Sequence, residues 1–247
     1  IDITDPLDTS PGYISLNNYS ISDYKNHGVL KAYEIITNSS QVGASKIALM
    51  LGADNIVTTY KEFGFSKPIN INFPSPTFGQ INNRENMSDI EIANLGFGYG
   101  LDASPFQIAS AFAVFANEGV YKEFSLVMND EYMHEKQVIS KETADKILFA
   151  LRDVIENGSG RKAKVPGFDI GGKTGTSHKS VKGGGYAKSI YTASFAGIAP
   201  LESKDLTIFV SIYQPGLNAY TGGEIAAPLF AEIASDTLNY LGYFESE

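Results

Sequence analysis

The chain has 247 residues, 43% of them hydrophobic, so one large domain or two small ones can bury a sizeable core. Its 19 basic and 28 acidic side chains give a formal net charge of −9, and an acidic chain without a basic cluster is a poor partner for nucleic acid or an anionic membrane surface. The absence of cysteine excludes disulfides, thiolate catalysis and cysteine-ligated zinc.

Targeting and membrane signals are also missing from the sequence. The longest apolar runs have the length of strands, far short of the roughly 20 residues that cross a bilayer. No signal peptide is visible, and the chain opens at Ile1 without a methionine. We therefore expect it to be a piece of a longer protein.

The first half is predicted to be mostly helical. Apolar residues keep a helical spacing from Leu30 to Leu51, broken around residues 38–40, and a further helix begins at Asp54. Residues 65–100 are rich in Pro, Asn and Gly, which predicts a long irregular excursion of the kind that is often functional.

Two later helices carry clear start signals. Ser104, with Pro105 at the first helical position and Gln107 at the third, forms a capping box, and its helix is expected to run towards Gly119. A second apolar stripe at helical spacing occupies residues 140–158.

The last part of the chain changes to strands. Residues 168–176, 190–199 and 206–213 predict three strands, with a short hairpin connection, PLESKD, between the second and third. Pro228 then opens a closing helix. These elements predict an α+β domain in which helices cover an antiparallel sheet.

The segment GFDIGGKTGTSHKS contains two overlapping motifs. Gly167, Gly172, Lys173 and Thr174 fit G-x-x-x-x-G-K-[ST], the phosphate-binding loop of nucleotide hydrolases. That loop requires its lysine to open a helix, but Lys173 is followed by Thr-Gly-Thr-Ser-His and then three glycines, with no helical stripe. We therefore interpret the nucleotide motif as a chance match.

The same segment makes sense as a strand. Period-2 alternation places the Thr174 and Thr176 hydroxyls on one side, and the glycines let another backbone come close. An edge strand with the Lys173 ammonium and two hydroxyls suits an extended peptide that ends in a carboxylate. The alternative is a polar, glycine-rich edge strand that merely resists aggregation.

Further segments match one protein family in order. They are DTSPGYISL, NSSQVGASK (38–46), FGYGLDASPFQIASAFAVFANEGVY (97–121), GGKTGTS, YTASFAGIAP and YTGGEIAAPLF. With them, residues from about Thr9 to Leu241 resemble the C-terminal part of the transpeptidase domain of class B penicillin-binding proteins, most closely the division-specific peptidoglycan synthases. The resemblance implies that residues 1–247 are part of one domain with the penicillin-binding-protein/β-lactamase-like fold, whose N-terminal part is absent.

The resemblance also implies an activity. Family members cross-link peptidoglycan: a serine attacks the carbonyl between two terminal D-alanines of a stem peptide, releases the last one, and passes the acyl group to an amine. It implies peptidoglycan stem peptides, β-lactam antibiotics and division-machinery proteins as partners, with no cofactor. The expected location is the periplasmic face of the bacterial inner membrane, with the anchor outside this chain.

In the second motif, Ser39 is implied to relay a proton to the leaving group. Gln41 stands where the family usually has Asn. Its amide keeps the same donors and acceptor on a longer stem, so it is expected to hold the substrate amide. Alternatively, Ser39 and Ser40 form a plain helix break in which each hydroxyl bonds nearby backbone.

In the third motif, Lys173 is implied to supply positive potential. Thr174, Gly175 and Thr176 are implied to bind the substrate, with the two hydroxyls on its carboxylate. The Thr176 N–H is implied to form half of the oxyanion hole.

The nucleophile is expected to be missing. The family's serine lies in Ser-x-x-Lys, in a Pro-Gly-Ser-type context at a helix start, and the resemblance places it upstream of Ile1. Two bare matches occur here, Ser22 to Lys25 and Ser159 to Lys162, and both lack the family's surroundings and order, so we interpret them as accidental. The chain alone is therefore expected to be inactive.

The three histidines offer no substitute. His27, His134 and His178 are scattered, without the spacing of a zinc pair or a Ser-His-Asp context, and no metal site is expected. His178 and Tyr220 are candidates to border the site.

Two other protein classes stay open. One is a noncatalytic penicillin-binding-like module that binds wall peptide or a partner protein. The other is a serine β-lactamase, which is the weaker option because nothing in the sequence resembles a dedicated deacylation base. A Ser-x-x-Lys in the upstream sequence would favour the enzyme over the module.

Overall fold

A computed structural model describes residues 1–69, 77–82, 84–126, 134–180, 186–216 and 218–243. The chain divides into two compact units. The first comprises Ile1–Val114 and Gly119–Ser140, and the second comprises Phe115–Glu118 and Lys141–Glu247.

The first unit contains short antiparallel ribbons where the sequence predicted mainly helix. They pair β1 with β4, β2 with β3, and β5 with β6. The strands are β1 (Pro6–Asp8), β2 (Tyr13–Leu16), β3 (Tyr19–Ser22), β4 (Val29–Lys31), β5 (Val120–Lys122) and β6 (Glu135–Gln137). Strands of three or four residues are too short to show an alternating pattern, which is why the sequence did not reveal them.

Apart from α4, the helices of the first unit follow the predicted stripes. They are α1 (Ala32–Thr37), α2 (Gln41–Leu51), α3 (Ala53–Glu62), α4 (Asp89–Gly96) and α5 (Pro105–Ala116), which crosses into the second unit. The break predicted around residues 38–40 separates α1 from α2, and the capping box before α5 is present, with Ser104 and Gln107 each accepting the other's backbone N–H.

Residues 65–100 were predicted to be irregular, but they contain helix α4. Its signal is a capping box: the Glu91 carboxylate accepts the Ser88 N–H at 3.0 Å and the Ser88 hydroxyl at 2.6 Å. The helix packs so closely on α2 that a Cβ on Gly96 would lie 2.7 Å from the Ala44 carbonyl oxygen. The rest of the predicted excursion includes 70–76 and 83, which lie outside the described residues.

The core of the first unit joins α2, α3 and α4. It contains Ala48, Ile56, Val57 and Leu95. Tyr60 packs against it and donates its hydroxyl to the Leu95 carbonyl oxygen at 2.5 Å, and burial raises the pKa of Tyr60 to about 12.

The second unit contains the predicted three-stranded antiparallel meander. Its strands are β7 (Gly171–Ser180), β8 (Tyr186–Ala199) and β9 (Leu206–Tyr213), in the order β7-β8-β9. Two further helices, α6 (Lys141–Glu156) and α7 (Ala227–Tyr240), complete the unit. Short 3₁₀ and π turns occupy Arg161–Ala163 and Gly222–Ala226.

The core of the second unit lies between the sheet and α7. Phe195 of β8 and Phe230 of α7 are fully buried, with their ring centroids 4.6 Å apart. Helix α6 packs beside β7, where a Cβ on Gly171 would lie 3.3 Å from the Leu151 Cβ. The predicted α+β class, with helices on an antiparallel sheet, is confirmed. Among the described residues, no helix combines the length and hydrophobicity that crossing a membrane requires.

Candidate functional site

Strand β7 carries the four predicted residues of the third motif in succession. Lys173 pairs with Ala196, and Thr176 pairs with Ala193, in the antiparallel register with β8. In the described part of the chain, β7 pairs with β8 alone, so it is the edge strand that the sequence predicted. A Cβ on Gly172 would lie 2.5 Å from the Phe195 ring, so this glycine lets the strand settle on the core.

Lys173 is partly buried. Its ammonium nitrogen lies 3.2 Å from the Thr174 carbonyl oxygen and 3.4 Å from the Thr174 hydroxyl. Burial disfavours the charged form and lowers the pKa of Lys173 from 10.5 to about 8. The side chain can therefore carry a positive charge at neutral pH in a poorly solvated place, where its field is strong.

The two threonine hydroxyls are anchored by other parts of the second unit. The Thr174 hydroxyl lies 2.8 Å from that of Ser159, in the loop after α6, and the Thr176 hydroxyl accepts the Gly222 N–H at 3.0 Å. A hydroxyl that accepts one hydrogen bond still has its own proton to donate. The Thr176 hydroxyl is thus oriented without losing its proton for an anion, whereas in the Ser159–Thr174 pair either hydroxyl can be the donor.

Gly222 explains how the chain can approach β7 so closely. A Cβ there would run into the carbonyl oxygens of Ser194 and Gly175, which are backbone atoms of β8 and β7. Only a residue without a side chain fits, so the start of the π turn lies directly against the strand that carries the motif.

Three rings lie at the far end of the strand pair. The His178 ring is 4.6 Å from that of Tyr191, and Tyr191 stacks on Tyr220 with centroids 4.4 Å apart. The His178 Nδ1 lies 3.0 Å from the Ala187 carbonyl oxygen. Two residues proposed from the sequence to border a site, His178 and Tyr220, are therefore joined through Tyr191, which the sequence did not single out.

The second motif lies in the first unit, in the turn between α1 and α2. Ser39 is exposed and has a φ of 54°, in the left-handed region that residues other than glycine seldom adopt. The buried Ser40 caps α2 by accepting the Gly43 N–H at 2.9 Å, as the plain helix-break interpretation predicts for this hydroxyl. Gln41 is exposed at the first position of α2.

Sequence reasoning missed two polar contacts of these motifs. One is the Ser159 hydroxyl on Thr174, and the other is the Asp23 carboxylate, which accepts hydrogen bonds from Ser40 and from the Val42 N–H. Both residues fall within the Ser-x-x-Lys matches that were interpreted as accidental. The spacing drew attention to these stretches, but contacts that span 15 to 19 residues leave no local pattern.

The described side chains do not form a metal-binding cluster. Within the described ranges, no group of three or more His, Cys, Asp or Glu residues could hold a metal ion. The polar groups gathered on β7 are an ammonium and hydroxyls, which suit a carboxylate or a developing oxyanion.

Comparison with known proteins identifies relatives over nearly the whole chain. The sequence model of one family, described as "Penicillin binding protein transpeptidase domain", matches residues 3–235. The probable peptidoglycan D,D-transpeptidase PbpC of Pseudomonas aeruginosa is 32% identical over 97% of this chain and 42% of its own length. The peptidoglycan D,D-transpeptidase FtsI of Buchnera aphidicola is 31% identical over 92% of this chain and 40% of its own length.

Solved structures agree with the sequence relatives. The transpeptidase domain of penicillin-binding protein 3 from Burkholderia pseudomallei superposes with a TM-score of 0.92 at 30% identity. The match covers 99% of this chain and 75% of that domain's chain. The chain spans about two fifths of the length of the two sequence relatives, PbpC and FtsI.

Proposed function

The chain belongs to the penicillin-binding protein transpeptidase family, and from this premise we propose that it forms part of a peptidoglycan D,D-transpeptidase. Both of its compact units would belong to one transpeptidase domain. The observation that carries the proposal is edge strand β7, where a lysine and two oriented threonine hydroxyls follow each other in a chain that matches the family over residues 3–235.

The proposed reaction is serine acyl transfer on stem peptides that end in D-Ala-D-Ala. The serine oxygen forms a bond to the penultimate carbonyl carbon, the peptide bond breaks, and the leaving amine of the last D-alanine takes a proton. An amine of a neighbouring stem peptide then displaces the serine. β-Lactams that resemble the D-Ala-D-Ala end would acylate the same serine.

On β7, Lys173 would supply the positive potential that draws the substrate carboxylate. Thr174, Gly175 and Thr176 would bind the extended peptide as an added strand, with the two hydroxyls donating to the carboxylate. The Thr176 N–H would stabilise the oxyanion of the tetrahedral intermediate, where loss of one donor typically costs about 10²–10³ in rate. The fixed orientation of both hydroxyls supports this assignment.

In the first unit, Ser39 would relay the proton to the leaving amine, a contribution of typically about 10²–10⁴-fold. Its exposed position supports this role. Gln41 would hold the amide of the bound peptide from the first position of α2, where its side chain reaches into solvent.

The nucleophile and its lysine would lie in protein sequence N-terminal to Ile1, so residues 1–247 alone would be inactive. The surroundings of the two bare Ser-x-x-Lys matches support this. Ser22 ends a β-strand, and the Ser159 hydroxyl is bonded to Thr174 ahead of a three-residue 3₁₀ turn. Neither serine opens an α-helix that would present Lys25 or Lys162 to it.

The parent protein would work at the periplasmic face of the inner membrane, together with division-machinery proteins. This proposal rests on the resemblance to division-specific peptidoglycan synthases. The competing function is a noncatalytic module that binds wall peptide or a partner, and a Ser-x-x-Lys in the upstream sequence would favour the enzyme over it.

Intact-mass spectrometry after incubation with penicillin tests the proposal. The full-length protein is compared with residues 1–247, and circular dichroism checks that both are folded. We expect one acyl adduct on the full-length protein only, on a serine upstream of Ile1. An adduct on Ser22 or Ser159 would contradict the assignment of the nucleophile, and a folded full-length protein without any adduct would favour the noncatalytic module.

A further inference from the structure

The turn before α2 adopts a conformation that needs support from outside. Ser39 is held at a φ of 54°, although a serine has no intrinsic preference for the left-handed region. Ser39 is exposed and Ser40 is buried, so contacts that hold the turn are available on the Ser40 side. Such outliers persist where the surrounding structure over-determines them.

The support comes from a carboxylate 17 residues upstream of Ser40. One oxygen of Asp23 accepts the Ser40 hydroxyl at 2.5 Å, and the other accepts the Val42 N–H at 3.1 Å. Hydrogen bonds to a charged acceptor are about twice as strong as neutral ones. A negative charge near a helix N-terminus also interacts favourably with the positive end of the helix dipole. The carboxylate therefore fixes the backbone immediately after Ser39 and on both sides of Gln41.

Asp23 is itself held in place by the β2–β3 ribbon. Its N–H donates to the Gly12 carbonyl oxygen at 2.9 Å, directly after the Tyr13–Ser22 pair of the ladder. Gly12 has a φ of 93°, and a Cβ there would lie 2.9 Å from the Asn26 Cα, so this loop is closely packed. The carboxylate is thus attached to an element separate from α2.

We propose that Asp23 is a positioning residue for the second motif, whose carboxylate holds the turn so that Ser39 and Gln41 keep the geometry needed for acyl transfer. This inference rests on the proposed function, because it acts through Ser39. It also gives a role to the stretch Ser22-Asp23-Tyr24-Lys25, whose Ser-x-x-Lys spacing we interpret as accidental. A residue that only capped α2 would change stability without changing the chemistry, and this difference can be measured.

The test is a double-mutant cycle in the full-length protein, with the first-order rate of acylation by a fluorescent penicillin as the readout. We expect Asp23→Ala to lower that rate by about 10–100-fold, because small displacements of positioning groups have effects of this order. In a Ser39→Ala background, the same substitution should lose most of its effect, because only the part that acts through Gln41 remains.

Two matched variants separate positioning from stability. Asp23→Asn keeps an oxygen for the Val42 N–H but loses the charge, so it should lower the rate by less than Asp23→Ala, about 3–10-fold. If Asp23→Ala does not fold, Asp23→Asn carries the test, and its loss should shrink in the Ser39→Ala background. Glu91→Gln removes a carboxylate that caps α4 in the same unit. We expect it and Asp23→Ala each to lower the Tm by about 2–4 °C, but Glu91→Gln should leave the acylation rate unchanged.

Three outcomes would overturn the inference. An Asp23→Ala protein that reacts at the normal rate, or one whose loss persists in full in the Ser39→Ala background, would overturn the positioning role alone. A folded, unsubstituted protein that penicillin does not acylate would overturn the proposed function, and the role of Asp23 with it.

Discussion

The two motif-bearing regions are held by different means. Lys173 lies in a ten-residue strand whose backbone is fixed along β8 by a ladder of hydrogen bonds, whereas Ser39 lies in a turn fixed by the side chains of Ser40 and Asp23. A ladder distributes its support over many bonds, so the loss of one side chain barely moves the strand. The strand is vulnerable where backbones touch, and the turn is vulnerable at single carboxylate and hydroxyl groups.

The largest effect is expected where two backbones touch in the strand region. In Gly222→Ala, the new methyl would collide with the carbonyl oxygens of Ser194 and Gly175, which belong to the ladder. We expect the free energy of unfolding to fall by about 1–3 kcal/mol, with loss of penicillin acylation. Thermal denaturation and acylation kinetics of the full-length protein measure both.

Gly216→Ala is the matched control, because a Cβ at Gly216 would meet nothing within 4 Å. It should change stability by less than about 0.5 kcal/mol. If both variants were equally stable and active, backbone contact would not be the weak point of the strand region.

A side-chain deletion within the strand should affect chemistry without affecting the fold. Lys173→Met removes the ammonium, and we expect the acylation rate to fall by about 10²–10³-fold, as for loss of an oxyanion-stabilising donor. The Tm should hold or rise, because a desolvated charge is replaced by an apolar side chain of similar volume. Lys179→Met, in the same strand but exposed, is the control and should react normally.

The pH dependence sharpens the same point. Burial lowers the pKa of Lys173 to about 8, so its positive charge should fade as the pH rises through 8. We expect the acylation rate to fall by about tenfold from pH 8 to about pH 9.3. The rate of Lys173→Met should stay constant over this range.

Stability should respond to Lys173 in the opposite direction. Between pH 8 and 10.5, the unfolded state binds more protons at this lysine than the folded state, so its contribution to stability rises with pH. An acylation rate of the unsubstituted protein that stays constant up to pH 10 would contradict the need for the Lys173 charge.

The smallest effect is expected at Ser159, which supports Thr174 beside the ladder. Ser159→Ala removes one hydrogen bond of 2.8 Å, and we expect a loss of about 3–10-fold in acylation rate, equivalent to roughly 0.5–1.5 kcal/mol. Ser159→Thr keeps the hydroxyl and should be close to normal. Complete loss of the penicillin adduct in Ser159→Ala would instead identify this serine as the nucleophile.

The same comparison explains how much the sequence could predict. The strand motif occupies consecutive residues, 173–176, and the helices α5 and α6 have capping signals or long stripes, so these features could be predicted. The ribbons of three or four residues could not, because they pair through non-local contacts. Helix α4 had its capping box at Ser88 and Glu91, but the surrounding Pro, Asn and Gly concealed it.

The candidate site shows the same limit. The positions of Lys173, Thr174 and Thr176 on an edge strand followed from period-2 alternation and from the family resemblance. The hydrogen bonds between Ser159 and Thr174 and between Ser40 and Asp23 join segments that only the tertiary fold brings together. Whether the named residues act as proposed stays a prediction.

The most direct test of the account is a crystal structure of the full-length protein after reaction with penicillin. We predict the acyl group on a serine N-terminal to Ile1, its carbonyl oxygen within hydrogen-bond distance of the Thr176 N–H, and the penicillin carboxylate on the Thr174 and Thr176 hydroxyls. An acyl group whose carboxylate lies away from β7 would contradict the claim that this strand recognises the substrate.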